Sequence, residues 1–256
     1  MSQLIDKLKR VNQNAPRAVG FRVGQPASPK PKMLLIASLT QAKIDNLTDY
    51  VGGADGGLLT VPRTSQIQAL KEASQAMPDI PWGTWLIDGG QAKIDETVEA
   101  LCDFVVFASS TPLAIAQNDA VGKVLEVEVS LSDGLLRATD DMPVDALLIA
   151  GEQEEDNPLT WHHLMLFQRF AILLTKPFLV RVPSNVTADE LQALWEAGVS
   201  GIIVKAETEQ PPGRIGELRQ IIDNLTYPSR RKQRKAEPLL PHIGQQVETV
   251  PEEEEE

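Results

Sequence analysis

The chain has 256 residues, a formal net charge of −12 and a single cysteine. That length is ample for a buried core and suits two average domains or one eightfold α/β barrel, for which about 250 residues is typical. The acidic balance excludes a general nucleic-acid binder, which needs clustered cations for phosphate. One cysteine excludes an internal disulfide framework and suits a reducing cytoplasm.

Residues 1–14 are polar and amphipathic without an apolar central run, so no secretory leader is expected. Leu4, Ile5, Leu8 and Val11 share one face of a short helix predicted over 2–11. A strand at 18–23 and a proline-rich connector at 25–32 complete an N-terminal extension over 1–32.

From residue 33 a rhythm sets in: an apolar run, a polar turn, an amphipathic stretch. The apolar runs fall at 33–38, 57–61, 82–87, 104–108, 124–130, 146–150, 178–182 and 202–205. Helical periodicity occupies 41–51, 65–77, 93–101, 160–175, 187–197 and 214–225, whereas the connections at 112–122 and 131–142 are weak or short. Strand–helix alternation means parallel strands, and near-continuous apolar runs mean strands covered on both faces. Eight such units predict a single (β/α)8 barrel over 33–226, its floor covered by the N-terminal helix.

Two internal echoes support this. Gln41-Ala42-Lys43-Ile44-Asp45 returns as Gln91-Ala92-Lys93-Ile94-Asp95, a helix start shared by two strand–helix units. Several strands begin with one kind of junction: Gly53-Ala54-Asp55-Gly56, Leu101-Cys102-Asp103-Phe104, Pro143-Val144-Asp145-Ala146 and Gly198-Val199-Ser200-Gly201. In three of them a glycine or proline ends the helix, and a small polar residue turns the chain into the strand.

The longest apolar stretch, 164–182, is broken by Gln168, Arg169, Lys176 and Pro177, so no membrane span of about 20 residues is expected. Residues 227–256 carry a basic run at 230–235 and an acidic end at 252–256. They read as a disordered charged tail, a solubilising segment or a docking segment for a protein partner.

Chemistry in a barrel of this kind sits at the carboxyl ends of the strands. Lys205 ends the eighth run, where a desolvated lysine can form a Schiff base or simply pair with Glu207 or Glu128. Glu126 and Glu128 lie two apart and share one side of their strand. Facing inward they would supply a general base or a metal site; facing outward they would pair with helix lysines. Asp88, followed by Gly89 and Gly90, is a carboxylate beside a backbone nest or an ordinary turn. Adjacent His162 and His163 diverge by about 100° on a helix, so no histidine-based metal site is expected. Cys102 reads as a buried, inert thiol.

The last two units contain Pro177-Phe-Leu-Val-Arg-Val-Pro-Ser-Asn-Val-Thr-Ala-Asp-Glu-Leu and Leu194-Trp-Glu-Ala-Gly-Val-Ser-Gly-Ile-Ile-Val-Lys. They resemble the seventh and eighth units of the aldolase-type, phosphate-binding TIM barrels. In that superfamily an apolar strand leads to Gly-Gly-Ile, and the next strand to Gly-Ser or Gly-Thr. The resemblance implies a phosphate held by backbone N–H groups in those turns. Here Ser184-Asn185-Val186 stands for Gly-Gly-Ile and Lys205-Ala206 for Gly-Ser, so side chains crowd the place where phosphate would press. No cofactor is therefore expected, flavin mononucleotide included.

Two functions follow. One is a degenerate barrel, non-catalytic or weakly ligand-binding, with a small anion on Arg181, Ser184 and Asn185 or a protein partner on the tail. The other is an enzyme acting on a small anionic or carbonyl metabolite through Lys205, Glu128 and Asp88.

Overall fold

Eight parallel strands pair in chain order and close on themselves, the eighth hydrogen-bonding to the first. The structure, a computed structural model, describes residues 2–14, 32–40, 47–60, 63–86, 102–150, 158–206 and 211–226. The strands are β1 Leu34–Leu39, β2 Gly56–Leu59, β3 Trp82–Leu86, β4 Phe104–Ala108, β5 Gly122–Glu128, β6 Ala146–Ala150, β7 Phe178–Val182 and β8 Gly201–Lys205. The helices are α1 Gln3–Asn14, α2 Leu47–Val51, α3 Arg63–Ala76, α4 Asp133–Ala138, α5 Trp161–Leu173, α6 Ala188–Glu196 and α7 Arg214–Asn224. The expected strand at 18–23, helix at 93–101, twin pentapeptides and tail lie outside the described residues.

The weak connection at 112–122 contains a single 3-10 turn, Leu113–Gln117, and the one at 131–142 holds the short α4. The fifth strand starts two residues before its apolar run. Gly122 has no side chain because α1 presses there: a Cβ would lie 2.5 Å from Ile5. Lys123 is 5% exposed, its ammonium donating to the Ala116 carbonyl at 3.1 Å and pairing with Asp119 at 3.2 Å.

Alternation along each strand sorts side chains into two cores. Leu35, Ala37, Val105, Phe107, Leu147, Ile149, Val180 and Val204 face the helix layer. Leu34, Ile36, Leu58, Phe104, Val106, Val124, Leu148, Leu179 and Ile203 fill the barrel interior together with Leu4, Ile5, Leu8 and Val11 of α1. The N-terminal helix is thus the floor of the barrel, as its one apolar face predicted.

The repeated junction explains how strands are spaced. The backbone N–H groups of Asp55, Asp103, Asp145 and Ser200 donate to the carbonyls of Leu35, Trp82, Lys123 and Phe178 at 2.7 to 3.1 Å. Each even-numbered strand is thereby keyed to the odd one before it. The side chains of Asp55 and Asp145 complete the exchange by accepting from the N–H of Leu35 at 2.9 Å and of Lys123 at 3.0 Å. Asp103 turns instead to α1, accepting from the N–H of Gln3 at 2.7 Å, the N–H of Leu4 at 3.0 Å and the Ser2 hydroxyl at 2.7 Å. It caps the floor helix where the helix dipole favours a carboxylate. Gly53 and Gly198 end α2 and α6 at φ 97° and 92°, the left-handed conformation that only glycine adopts without strain.

Candidate functional site

One step beyond the fully buried interior layer, the same alternation brings eight residues to the carboxyl ends of the strands: Ser38, Thr60, Trp85, Ala108, Glu126, Ala150, Arg181 and Lys205. Seven are half-buried and Arg181 is exposed, so this ring is the mouth of the barrel. Below it the interior is closed by apolar side chains, several of them fully excluded from solvent.

Glu126 faces inward, on the side of its strand that carries Val124. Burial pushes its carboxyl above the ordinary range, Arg181 pulls it back, and Glu128 pushes it up again. Glu128, one ring further out, is exposed and accepts from the Ser130 hydroxyl at 3.0 Å. Of the two carboxylates, the interior one is Glu126. Lys205 is the last residue of β8, on the inward side with Ile203, and stands beside Ser38 in register. Across β1 and β2 the hydroxyls of Ser38 and Thr60 lie 3.3 Å apart.

Arg181 and Trp85 make the defining contact. β7 and β3 are four strands apart in a ring of eight, so their inward side chains face one another across the barrel. The Arg181 guanidinium carbon lies 4.5 Å from the centroid of the Trp85 ring. A cation on an aromatic face is worth about 0.5–2 kcal/mol depending on desolvation. The pair spans the mouth and roofs the apolar interior.

The sequence candidates divide accordingly. Arg181, Lys205 and Glu128 come to the mouth. Asp88 and Glu207 lie outside the described residues. Ser184 and Asn185 lie past the end of β7, Asn185 exposed, in a loop held by Arg214. The Arg214 guanidinium donates to the carbonyls of Ser184 and Val186, each at 2.9 Å, and pairs with Glu217 at 3.0 Å. The loop therefore offers two carbonyls to a cation in the region where a phosphate grip offers backbone N–H groups. Behind it Gly213 takes φ 88° and donates its N–H to the Asp49 carbonyl at 2.8 Å.

Trp85 escaped sequence reasoning. Its only sequence signal is an aromatic one residue short of a strand end, a position that could equally face the helices. His163 is structural: its ring nitrogen accepts from the Thr160 backbone N–H at 3.1 Å, closing a capping box on α5. Cys102 is buried, its thiol pushed up to about 12 by desolvation. Its burial is as its position predicted.

No family model matches the chain, and no curated protein matches it. Solved structures do. A mutant of the tryptophan synthase alpha-subunit from Pyrococcus furiosus superposes with a TM-score of 0.59 at 11% identity, over 76% of this chain and 98% of that one. Thiamine phosphate pyrophosphorylase from the same organism gives 0.59 at 15% identity, over 77% and 98%. Likeness at such identities is a likeness of fold alone, the closed (β/α)8 barrel. Among the described residues no helix is long and apolar enough to cross a membrane.

Proposed function

We propose that this chain is a degenerate aldolase-type barrel that binds a small anion weakly at its mouth and runs no catalytic cycle. The observation that carries this is the Arg181–Trp85 contact: the strand-end cation lies across the mouth on an aromatic face, in the space where a reacting atom would sit. Arg181 is exposed, so donors remain for a carboxylate or phosphate arriving from solvent, with Lys205 as a second cation. Contacts this open to water give affinities in the millimolar range. The Arg214-filled loop after β7 argues in the same direction, against a phosphate ester held by backbone. In this reading the protein is cytoplasmic, needs no cofactor, and its charged tail is free for a protein partner.

A second reading has one specific observation in its favour. Glu126 is a half-buried carboxyl with a raised pKa beside a cation, the property a general base or acid needs at neutral pH. The barrel would then be an enzyme for a small anionic or carbonyl metabolite.

Titrating the protein with acetate, inorganic phosphate and flavin mononucleotide, followed by NMR, tests both. Millimolar binding of the two small anions is expected, abolished by Arg181→Met and weakened by Lys205→Met, with flavin binding no tighter; the thermal midpoint of Arg181→Met should fall by a few degrees as its contact with Trp85 is lost. Micromolar binding of flavin mononucleotide would overturn the degenerate reading. No anion binding at all would remove the binding role. Turnover of a carbonyl metabolite that Glu126→Gln abolishes would establish the enzyme.

A further inference from the structure

α5 packs Phe167 and Phe170 into the core, as a barrel helix must. Its outer face is anomalous. Trp161 is 82% exposed, Met165 69% and Ile172 73%. With Gln168 these fall at positions i, i+4, i+7 and i+11, a single stripe along three turns. Among the described α-helices α5 is the only one without a carboxylate, and it has no lysine. Its one cation, Arg169, is turned sideways to α4, donating to Asp133 at 2.8 Å and to the carbonyls of Val129 and Leu131 at 3.2 and 2.6 Å. α4 adds Leu135, 60% exposed. A helix apolar on both faces belongs in an interior, so this one lacks its cover.

We infer that the cover is α5 of a second copy, packed antiparallel about a twofold axis that passes between Met165 and Gln168. Charge selects this occupant. Two chains of net charge −12 repel wherever carboxylates meet, and among the described helices α5 offers the face on which they can approach without that cost. Geometry agrees, since the stripe is self-complementary: Trp161 of one copy meets Ile172 of the other, and Met165 meets Gln168. Area agrees too. The three apolar side chains expose about 400 Å². A standard interface buries about 800 Å² per partner, a little over half of it apolar. Trp and Met are the residue types that such interfaces concentrate.

The experiment is sedimentation of the full chain across a concentration series, with two variants on the stripe. Wild type is expected to reach twice the 28.0 kDa chain mass as concentration rises. Met165→Glu and Met165→Lys are each expected to weaken dimerisation by at least about tenfold, because burying a charge in an apolar contact is costly. Their thermal midpoints should match wild type when all three are compared as monomers at low concentration. Mixing the two variants should restore a dimer, since the two copies of residue 165 flank the twofold axis within about one helical turn of each other, close enough for opposite charges to attract. A wild type that stays monomeric overturns the inference, and so does a dimer that survives both substitutions. A dimer that appears only when residues 229–256 are deleted also overturns it, because the cover would then be the tail. The anion titrations at the mouth are independent of all these outcomes.

Discussion

At the mouth, Glu126 carries the clearest residue-scale consequence. Its folded pKa is raised by burial, so ionising it costs stability as the pH rises through the folded value. Below the ordinary carboxylate range both folded and unfolded chains hold the proton, and the cost vanishes. Glu126→Gln should therefore raise the thermal midpoint by about 1–3 °C at pH 7 and leave it unchanged at pH 3.5. A lower midpoint for the glutamine variant at pH 7 would mean that attraction to Arg181 outweighs desolvation. The sequence could not select Glu126 over Glu128, nor say which way either pointed. Apolar residues occupy both parities of β5, with Val124 inward and Leu125 and Val127 outward, so no alternation marks the interior side. The Arg181–Trp85 pair was invisible for a different reason. It joins strands that are distant in the chain and opposed in the ring, and nothing local records such a contact.

At the scale of elements, the floor helix and its cap are the sharpest test of how the fold is held. Leu8 is fully buried among interior strand residues, so Leu8→Ala should cost about 2–5 kcal/mol by lost burial and an unfilled cavity. Asp103→Ala removes the acceptor for two backbone N–H groups of α1 and should cost about 1–2 kcal/mol. Urea midpoints with an unchanged denaturant slope would measure both. A change below about 0.5 kcal/mol for either would mean that α1 is not seated as described. Most elements were legible because a strand covered on both faces writes a continuous apolar run: β4, β6 and β7 fall at the predicted residues. The boundary missed at β5 has a cause in packing. Gly122 and Lys123 look polar or neutral in sequence, yet one makes room for Ile5 and the other buries its stem beneath a carbonyl and a carboxylate. The junction aspartates were legible as turns, but not as reciprocal links between paired strands, because their partners lie a full strand–helix unit away.

For the whole molecule, the tail offers the simplest prediction. Residues 229–256 carry few apolar side chains and can bury little surface, so deleting them should shift the thermal midpoint by less than about 2 °C. A larger drop would show that the tail packs on the barrel. The floor helix has a consequence of another kind, in the order of synthesis. Its polar anchors are scattered along the barrel: Lys7 donates to the Asp55 carbonyl, Asp103 caps it, Lys9 pairs with Asp145, and Asn12 donates to the Thr175 carbonyl. The last of these lies 163 residues downstream. A ribosome makes α1 before any strand, and contacts of such long separation form late. Four apolar side chains therefore wait without a partner while the strands emerge, and a helix made ahead of the strands can be seated only after them.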